Sequence, residues 1–135
     1  MRNVVLISLL LLLGACGPNP EKSDKLVEEG LMLAFYAKYD EAIEKYTEAI
    51  EYNPDNFEAY YSRGNAKASI RRYEEAIKDY TKAIEINPGY ADAYANRGQV
   101  KFYMNDHDGA CKDWQKAFDL GKPNMDDKLL ECPKE

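Results

Sequence analysis

Gly30, Gly64 and Gly98 stand 34 residues apart, and the chain around them repeats in the same step. Ala42, Ala76 and Ala110 keep it, as do Ala49, Ala83 and Ala117 and the large aromatics Tyr46, Tyr80 and Trp114. Asn53-Pro54 and Asn87-Pro88 close the first two units, and Gly121-Lys122-Pro123 closes the third with its proline one residue late. A fixed period of this length marks stacked copies of one supersecondary unit. One copy cannot bury its apolar face alone, so neighbours must do it.

The periodicity inside a unit is helical. In residues 40–54 (DEAIEKYTEAIEYNP), Ala42, Ile43, Tyr46, Ala49 and Ile50 fall on one face, and residues 74–88 repeat the pattern. Asn-Pro ends each such helix, because proline cannot continue the hydrogen-bond ladder. Glycine and alanine at the fixed sites let two helices approach while the aromatic fills the gap beside them. A larger side chain at Gly64 or Ala76 is expected to cost about 1–3 kcal/mol of overpacking.

These residues resemble the tetratricopeptide repeat. Numbered in units starting at 23, 57 and 91, small residues occupy positions 8, 20 and 27, and aromatics recur near 4, 17 and 24. Tyr60 and Tyr94 hold position 4, where the first unit has Leu26. Tyr39 and Tyr73 hold position 17, where the third has His107. Position 11, often aromatic in that family, is Leu33, Lys67 and Lys101, which implies a weaker contact there. The implied fold is all-α: a superhelical stack of three helix-turn-helix hairpins (about 23–56, 57–90 and 91–124) closed by a C-terminal capping helix. Positions 7 and 23 carry opposite charges in every unit, so ion pairs Glu29–Lys45, Arg63–Asp79 and Arg97–Asp113 are expected inside the hairpins. On an exposed surface such pairs contribute only about 0–1 kcal/mol.

By the same resemblance, the first helix of each hairpin lines a concave inner face. The side chains that a partner would meet are Leu31 and Phe35 in the first unit, Tyr61 and Asn65 in the second, and Gln99, Phe102 and Tyr103 in the third. This mixture of aromatic anchors and amides suits an extended peptide or a partner helix. One subtype of the family grips acidic C-termini with basic residues and asparagines at positions 5 and 9. Here those positions are Val27, Leu31, Tyr61, Asn65, Ala95 and Gln99; only Asn65 fits, and a basic clamp is absent. Self-association, with the aromatics as a contact between copies, is the alternative use of this face.

The residues after Pro123 contain a short amphipathic piece, expected as a capping helix over about 125–132 with Asn124 as its N-cap. Cys132 at its end should lie near Cys111 in the last hairpin, so a disulfide is sterically open, the alternative being two half-buried thiols. Such a bridge would contribute about 3 kcal/mol in the chain-entropy model.

The N-terminus carries a second resemblance. Arg2 precedes an apolar run from Val4 to Leu13, which is shorter than the roughly 20 residues of a membrane-spanning helix and fits a secretory signal. It ends in Leu13-Gly14-Ala15-Cys16, which resembles the bacterial lipobox. The resemblance implies a signal peptide over 1–15, a lipid on Cys16, a tether over 16–23 and a repeat domain over 24–135. By resemblance to enterobacterial sorting rules, Gly17 after the cysteine, with no acidic residue there, implies the outer membrane of a bacterial cell envelope.

Composition narrows the function. Loss of Arg2 with the signal would take the net charge from −6 to −7, the wrong sign for nucleic acid or for attraction to anionic lipid. His107 is the only histidine and substitutes for a packing tyrosine; Ser62 and Ser69 have no triad partners. The sequence shows no catalytic set, metal-ligand pattern or cofactor loop. The expectation is a non-enzymatic, lipid-anchored adaptor that binds a protein or peptide in the cell envelope. A self-associating structural protein is the alternative, and an enzyme or small-molecule binder the remote one.

Overall fold

A computed structural model describes residues 17–133. Among them are six long helices and one short one: α1 (Pro20–Phe35), α2 (Tyr39–Tyr52), α3 (Phe57–Ser69), α4 (Tyr73–Ile86), α5 (Ala91–Tyr103), α6 (His107–Asp119) and α7 (Asp126–Leu129). They form three antiparallel hairpins, α1–α2, α3–α4 and α5–α6, stacked in sequence order. The first helices touch across the stack, α1 with α3 and α3 with α5, whereas α2 and α4, or α4 and α6, do not. Closer packing on one side bends the stack, so α1, α3 and α5 line its concave side.

The 34-residue step is a packing step. A Cβ added at Gly30 would lie 2.5 Å from the Tyr46 ring, one at Gly64 2.8 Å from Tyr80, and one at Gly98 2.7 Å from Trp114. Each glycine therefore lets one helix rest directly on the partner's aromatic ring. Ala42, Ala49, Ala76, Ala83, Ala110 and Ala117 are all fully buried behind those rings.

The turn inside each hairpin is a Schellman motif. After α1, Lys38 N–H donates to Leu33 O at 2.9 Å and Ala37 N–H to Ala34 O at 2.9 Å; α3 and α5 end the same way. The motif needs one left-handed residue, supplied by Ala37 (φ 57°), Arg71 (φ 62°) and Asn105 (φ 64°). Between hairpins the chain is extended at Asn53 and Asn87, as a residue before proline must be. Asn56 then does two things. Its Oδ1 caps α3 by accepting from Ala59 N–H at 3.1 Å, and its Nδ2 donates back to Ser23 Oγ at 2.9 Å.

All three charge pairs form, but they are unequal. Glu29–Lys45 (2.9 Å) is half-exposed. The Lys45 ammonium, by hydrogen bond and charge, holds the Glu29 carboxyl below the usual glutamate range. In the later units the aspartate is buried. Arg63 Nε donates to Asp79 Oδ2 at 2.9 Å and Nη2 to Oδ1 at 2.8 Å, while Lys67 reaches Oδ2 at 2.8 Å. Arg97, Lys101 and Asp113 repeat this. The lysines at position 11 thus do not weaken the contact, as expected of a lost aromatic; each adds a second cation to a buried carboxylate. Arg63 and Arg97 also donate to Thr47 and Thr81 of the preceding unit, linking neighbours along the stack.

Three expected boundaries change. The tether does not extend to residue 23, because α1 begins at Pro20. Proline suits the first turn, where its missing N–H leaves no bond unmade, and Asn19 caps the helix by accepting from Lys22 N–H at 3.0 Å. Ser23 is fully buried, donating to Ala49 O at 2.8 Å. The first helix therefore starts at Pro20, inside the stretch expected as tether. At the other end the helix spans only Asp126–Leu129 instead of 125–132, since the residues beyond turn to bring Cys132 to Cys111. Asn124 is left-handed (φ 60°) and is not the cap, which needs an extended backbone.

Counted on from 23, 57 and 91, a fourth unit would begin at 125. Met125 takes its first position and is buried; Cys132 takes the eighth, the glycine position of the other units. The α7 segment is thus the beginning of a fourth unit's first helix, docked on α6 and bonded to Cys111.

Candidate functional site

The concave face is organised by a polar network that spans the second and third units. Asn65 Oδ1 accepts from Tyr80 O–H at 2.8 Å and from Asn96 Nδ2 at 2.9 Å; Asn96 Nδ2 also donates to Tyr61 O–H at 3.0 Å. The Tyr61 ring lies edge-on to Tyr90 at 4.9 Å and is tilted against Tyr80 at 6.0 Å. Burial, and the neighbouring Tyr61, push the Tyr80 and Tyr90 phenols above the ordinary tyrosine range, so both remain neutral donors. Among the described residues, the Asn65 amide N–H groups and the Asn96 carbonyl have no partner. Both reach solvent, because no buried side-chain polar atom there is unsatisfied. The pair therefore keeps an amide donor on Asn65 and an amide acceptor on Asn96 open to a ligand.

The side chains expected on this face separate into three kinds. Leu31 and Phe35 stand free, 51% and 81% exposed, and Tyr103 is also exposed, resting against Tyr73 at 5.9 Å. Tyr61 and Asn65 are half-buried in the network. Phe102 is not a free anchor: it packs against Trp114 (5.5 Å) and the edge of His107 (4.8 Å), in the cluster around Ala95 and Ala110. Gln99 is covered, its Oε1 accepting from Lys128 Nζ of α7.

Asn96, Tyr90 and Tyr80 complete the network and were absent from the expectation. Asn96 occupies position 6, where the other units have Glu28 and Ser62, so nothing repeats to draw notice. Tyr80 stands in the core column, and the sequence does not show that its hydroxyl emerges on the inner face.

The charge on this side is acidic. Asp24 and Glu58 are exposed near the first turns of α1 and α3, and Asp92 pairs with Lys122. Lys67 and Lys101 point into the buried aspartates and are not displayed. Cys111 and Cys132 are joined by a disulfide. Cys16 lies outside the described residues. No described helix is long and apolar enough to cross a membrane, and the described residues contain no His/Cys/Asp/Glu group arranged for a metal.

Three family models match, described as tetratricopeptide repeat over 57–90, TPR repeat over 37–70 and tetratricopeptide repeat over 79–112. Among solved structures, the first TPR of Spaghetti (RPAP3), bound to the HSP90 peptide SRMEEVD, superposes with a TM-score of 0.82. It is 28% identical, over 84% of this chain and 92% of that one. The second TPR of the same protein, with the same peptide, gives a TM-score of 0.74 at 30% identity over 76% and 94%. The Sgt2 TPR domain from Aspergillus fumigatus gives 0.77 at 30% identity over 86% and 79%. No curated protein sequence matches. Repeat, packing geometry and relatives agree that the chain belongs to the tetratricopeptide-repeat family, and it is a protein-interaction module of that kind.

Proposed function

We propose that this chain is a lipid-anchored adaptor of the bacterial cell envelope that holds an extended peptide segment on its concave face. The observation that carries the binding reading is the Asn65–Asn96 pair. Fixed by Tyr80 and Tyr61, it leaves one donor and one acceptor where a peptide backbone would run. Tyr103 beyond it, and Leu31 before it, supply apolar contacts for side chains. Two of the structural relatives, the TPR domains of Spaghetti (RPAP3), are bound to the acidic HSP90 peptide SRMEEVD. This face displays Asp24 and Glu58 and no free basic clamp, so a neutral or basic segment suits it better. The anchor reading is supported by the order Arg2, apolar run, Leu-Gly-Ala-Cys16.

The test is crosslinking and recovery of the tagged, lipidated protein from its native membranes, beside Asn96→Ala and Tyr103→Ala variants. Phe102 is left intact because its loss would disturb the Trp114 core. An envelope protein recovered with the parent and lost from both variants, with unchanged melting temperatures, would support the adaptor. Equal recovery with all three would remove the groove from the reading.

A further inference from the structure

The two ends of the stack are finished differently. At the C-terminal end α7 and the Cys111–Cys132 bond lie on α6. At the N-terminal end nothing among the described residues lies on the outer edge of α1. What that edge displays can be read against the units behind it. In the second unit Ala59, Ser62 and Ala66 are buried, and in the third Ala93 and Val100 are. These are positions 3, 6 and 10, which face the preceding unit. In the first unit the same positions are Lys25, Glu28 and Met32, all exposed. Position 14, Ile70 and Met104 behind, is Tyr36 here.

The edge is therefore divided. Its first half is charged, and stacking another repeat or a second copy on it would cost the desolvation of Lys25 and Glu28. Its second half is apolar and uncovered: Met32 is 59% exposed, Phe35 81% and Tyr36 66%, with the two rings edge to face at 5.3 Å. Nothing in the packing of α1 on α2 or α3 requires these three side chains.

The entry of the chain says what covers them. Only Gly17, Pro18 and Asn19 separate Cys16 from α1, a span of about 10 Å at most when extended. Asn19 is itself docked, its N–H donating to Tyr52 O at 2.7 Å. From Pro20 the edge of α1 runs about 22 Å to Phe35. A lipid on Cys16 would hold one end of this edge at the bilayer, and the aromatic end would reach the same surface when the helix lies down. Tyrosine favours the boundary between headgroups and acyl chains, and phenylalanine inserts there from the apolar face of an interfacial helix. Charge gives no help, since the chain is net acidic, so the contact depends on apolar burial and not on anionic lipid.

We propose that Met32, Phe35 and Tyr36 form a second membrane contact that seats the first edge of the stack on the bilayer. The inference rests on the anchor proposed above. It gives the module a fixed attitude: α1 lies along the surface, and successive hairpins are carried away from it.

The test uses the full lipidated protein in phosphatidylcholine vesicles, with and without phosphatidylcholine brominated on its acyl chains. Trp114, the only native tryptophan, is buried and serves as the unquenched background. Phe35→Trp is compared with Phe118→Trp, on the opposite edge, where Phe118 is exposed. The expected result is that brominated lipid removes the emission added by Phe35→Trp and spares that added by Phe118→Trp. Three results would overturn the proposal. Vesicle-bound protein with no quenching of the Phe35→Trp emission would mean that the patch is not in lipid. Shielding of that emission without bromine quenching, with a concentration-dependent mass, would mean a second copy covers it. Protein that fails to float with vesicles and carries no lipid on Cys16 would defeat the anchor reading and this proposal with it.

Discussion

Arg71 sits at φ 62° because the Schellman turn after α3 needs a left-handed residue, and a side chain with a Cβ adopts that conformation at a cost of about 1 kcal/mol. Arg71→Gly is therefore expected to raise stability, lifting Tm by a few degrees in a thermal melt. Gly64→Ala goes the other way. The added methyl meets the Tyr80 ring at 2.8 Å, and the expected loss is about 1–2 kcal/mol despite alanine's better helix propensity. The buried carboxylates set a third contrast. Asp79→Ala would leave Arg63 and Lys67 without their anion and should cost about 3 kcal/mol in denaturant unfolding. Lys45→Met, at the half-exposed pair of the first unit, should change little. Equal effects would contradict the division between buried and exposed pairs. The sequence showed the partners of each pair but not their burial, because opposite charges at two positions say nothing about what lies over them.

At the scale of elements, α2 and α4 could be read from the period of their apolar residues and from Asn-Pro as a stop, and the other long helices from the 34-residue step and the family it resembles. The ends that differed from expectation are those where one residue has two uses. Pro20 reads as a breaker, yet it starts α1, since the first turn needs no N–H from it. Asn124 reads as a cap, yet its left-handed backbone belongs to the turn after α6. The short α7 has four residues and no side-chain cap, too few to hold alone; buried Met125 and the disulfide fix it. Cys132→Ser is expected to cost about 3 kcal/mol by the loop it opens. It should also speed hydrogen exchange in α7 and around Trp114, while α1 to α4 keep their protection. Loss of protection throughout would mean that the terminal segment holds the whole stack and not its last hairpin.

At the scale of the whole molecule, each hairpin is centred on one large buried ring, and two of the three rings are tyrosines. Burial raises Tyr46 to about 12 and Tyr80 further, whereas the unfolded chain would titrate both near 10. The folded state keeps protons that the unfolded state gives up, so stability is full below about pH 10 and falls as pH rises through the folded values. Denaturant midpoints should decline over that window, and Tyr46→Phe should flatten the decline. The inner face was only partly legible. Tyr61 and Asn65 follow from their positions, but the network depends on Asn96 and on the outer end of Tyr80, which no repeat pattern reveals.

The finished ends have a bearing on how such a chain gains or loses length. The first helix is marked by its charged and aromatic edge, and α7 holds the position of a fourth unit's first helix and is bonded to the third. Residues 57–90 between them pack backwards through α3 on α2 and forwards through α4 on α5, so one end of the block complements the other. A tandem copy of that block would enter in phase, offer Arg63 a threonine at the join and leave both termini untouched. Size is thus a property of the interior and identity a property of α1 and α7, so duplication could lengthen the groove without rebuilding either of them.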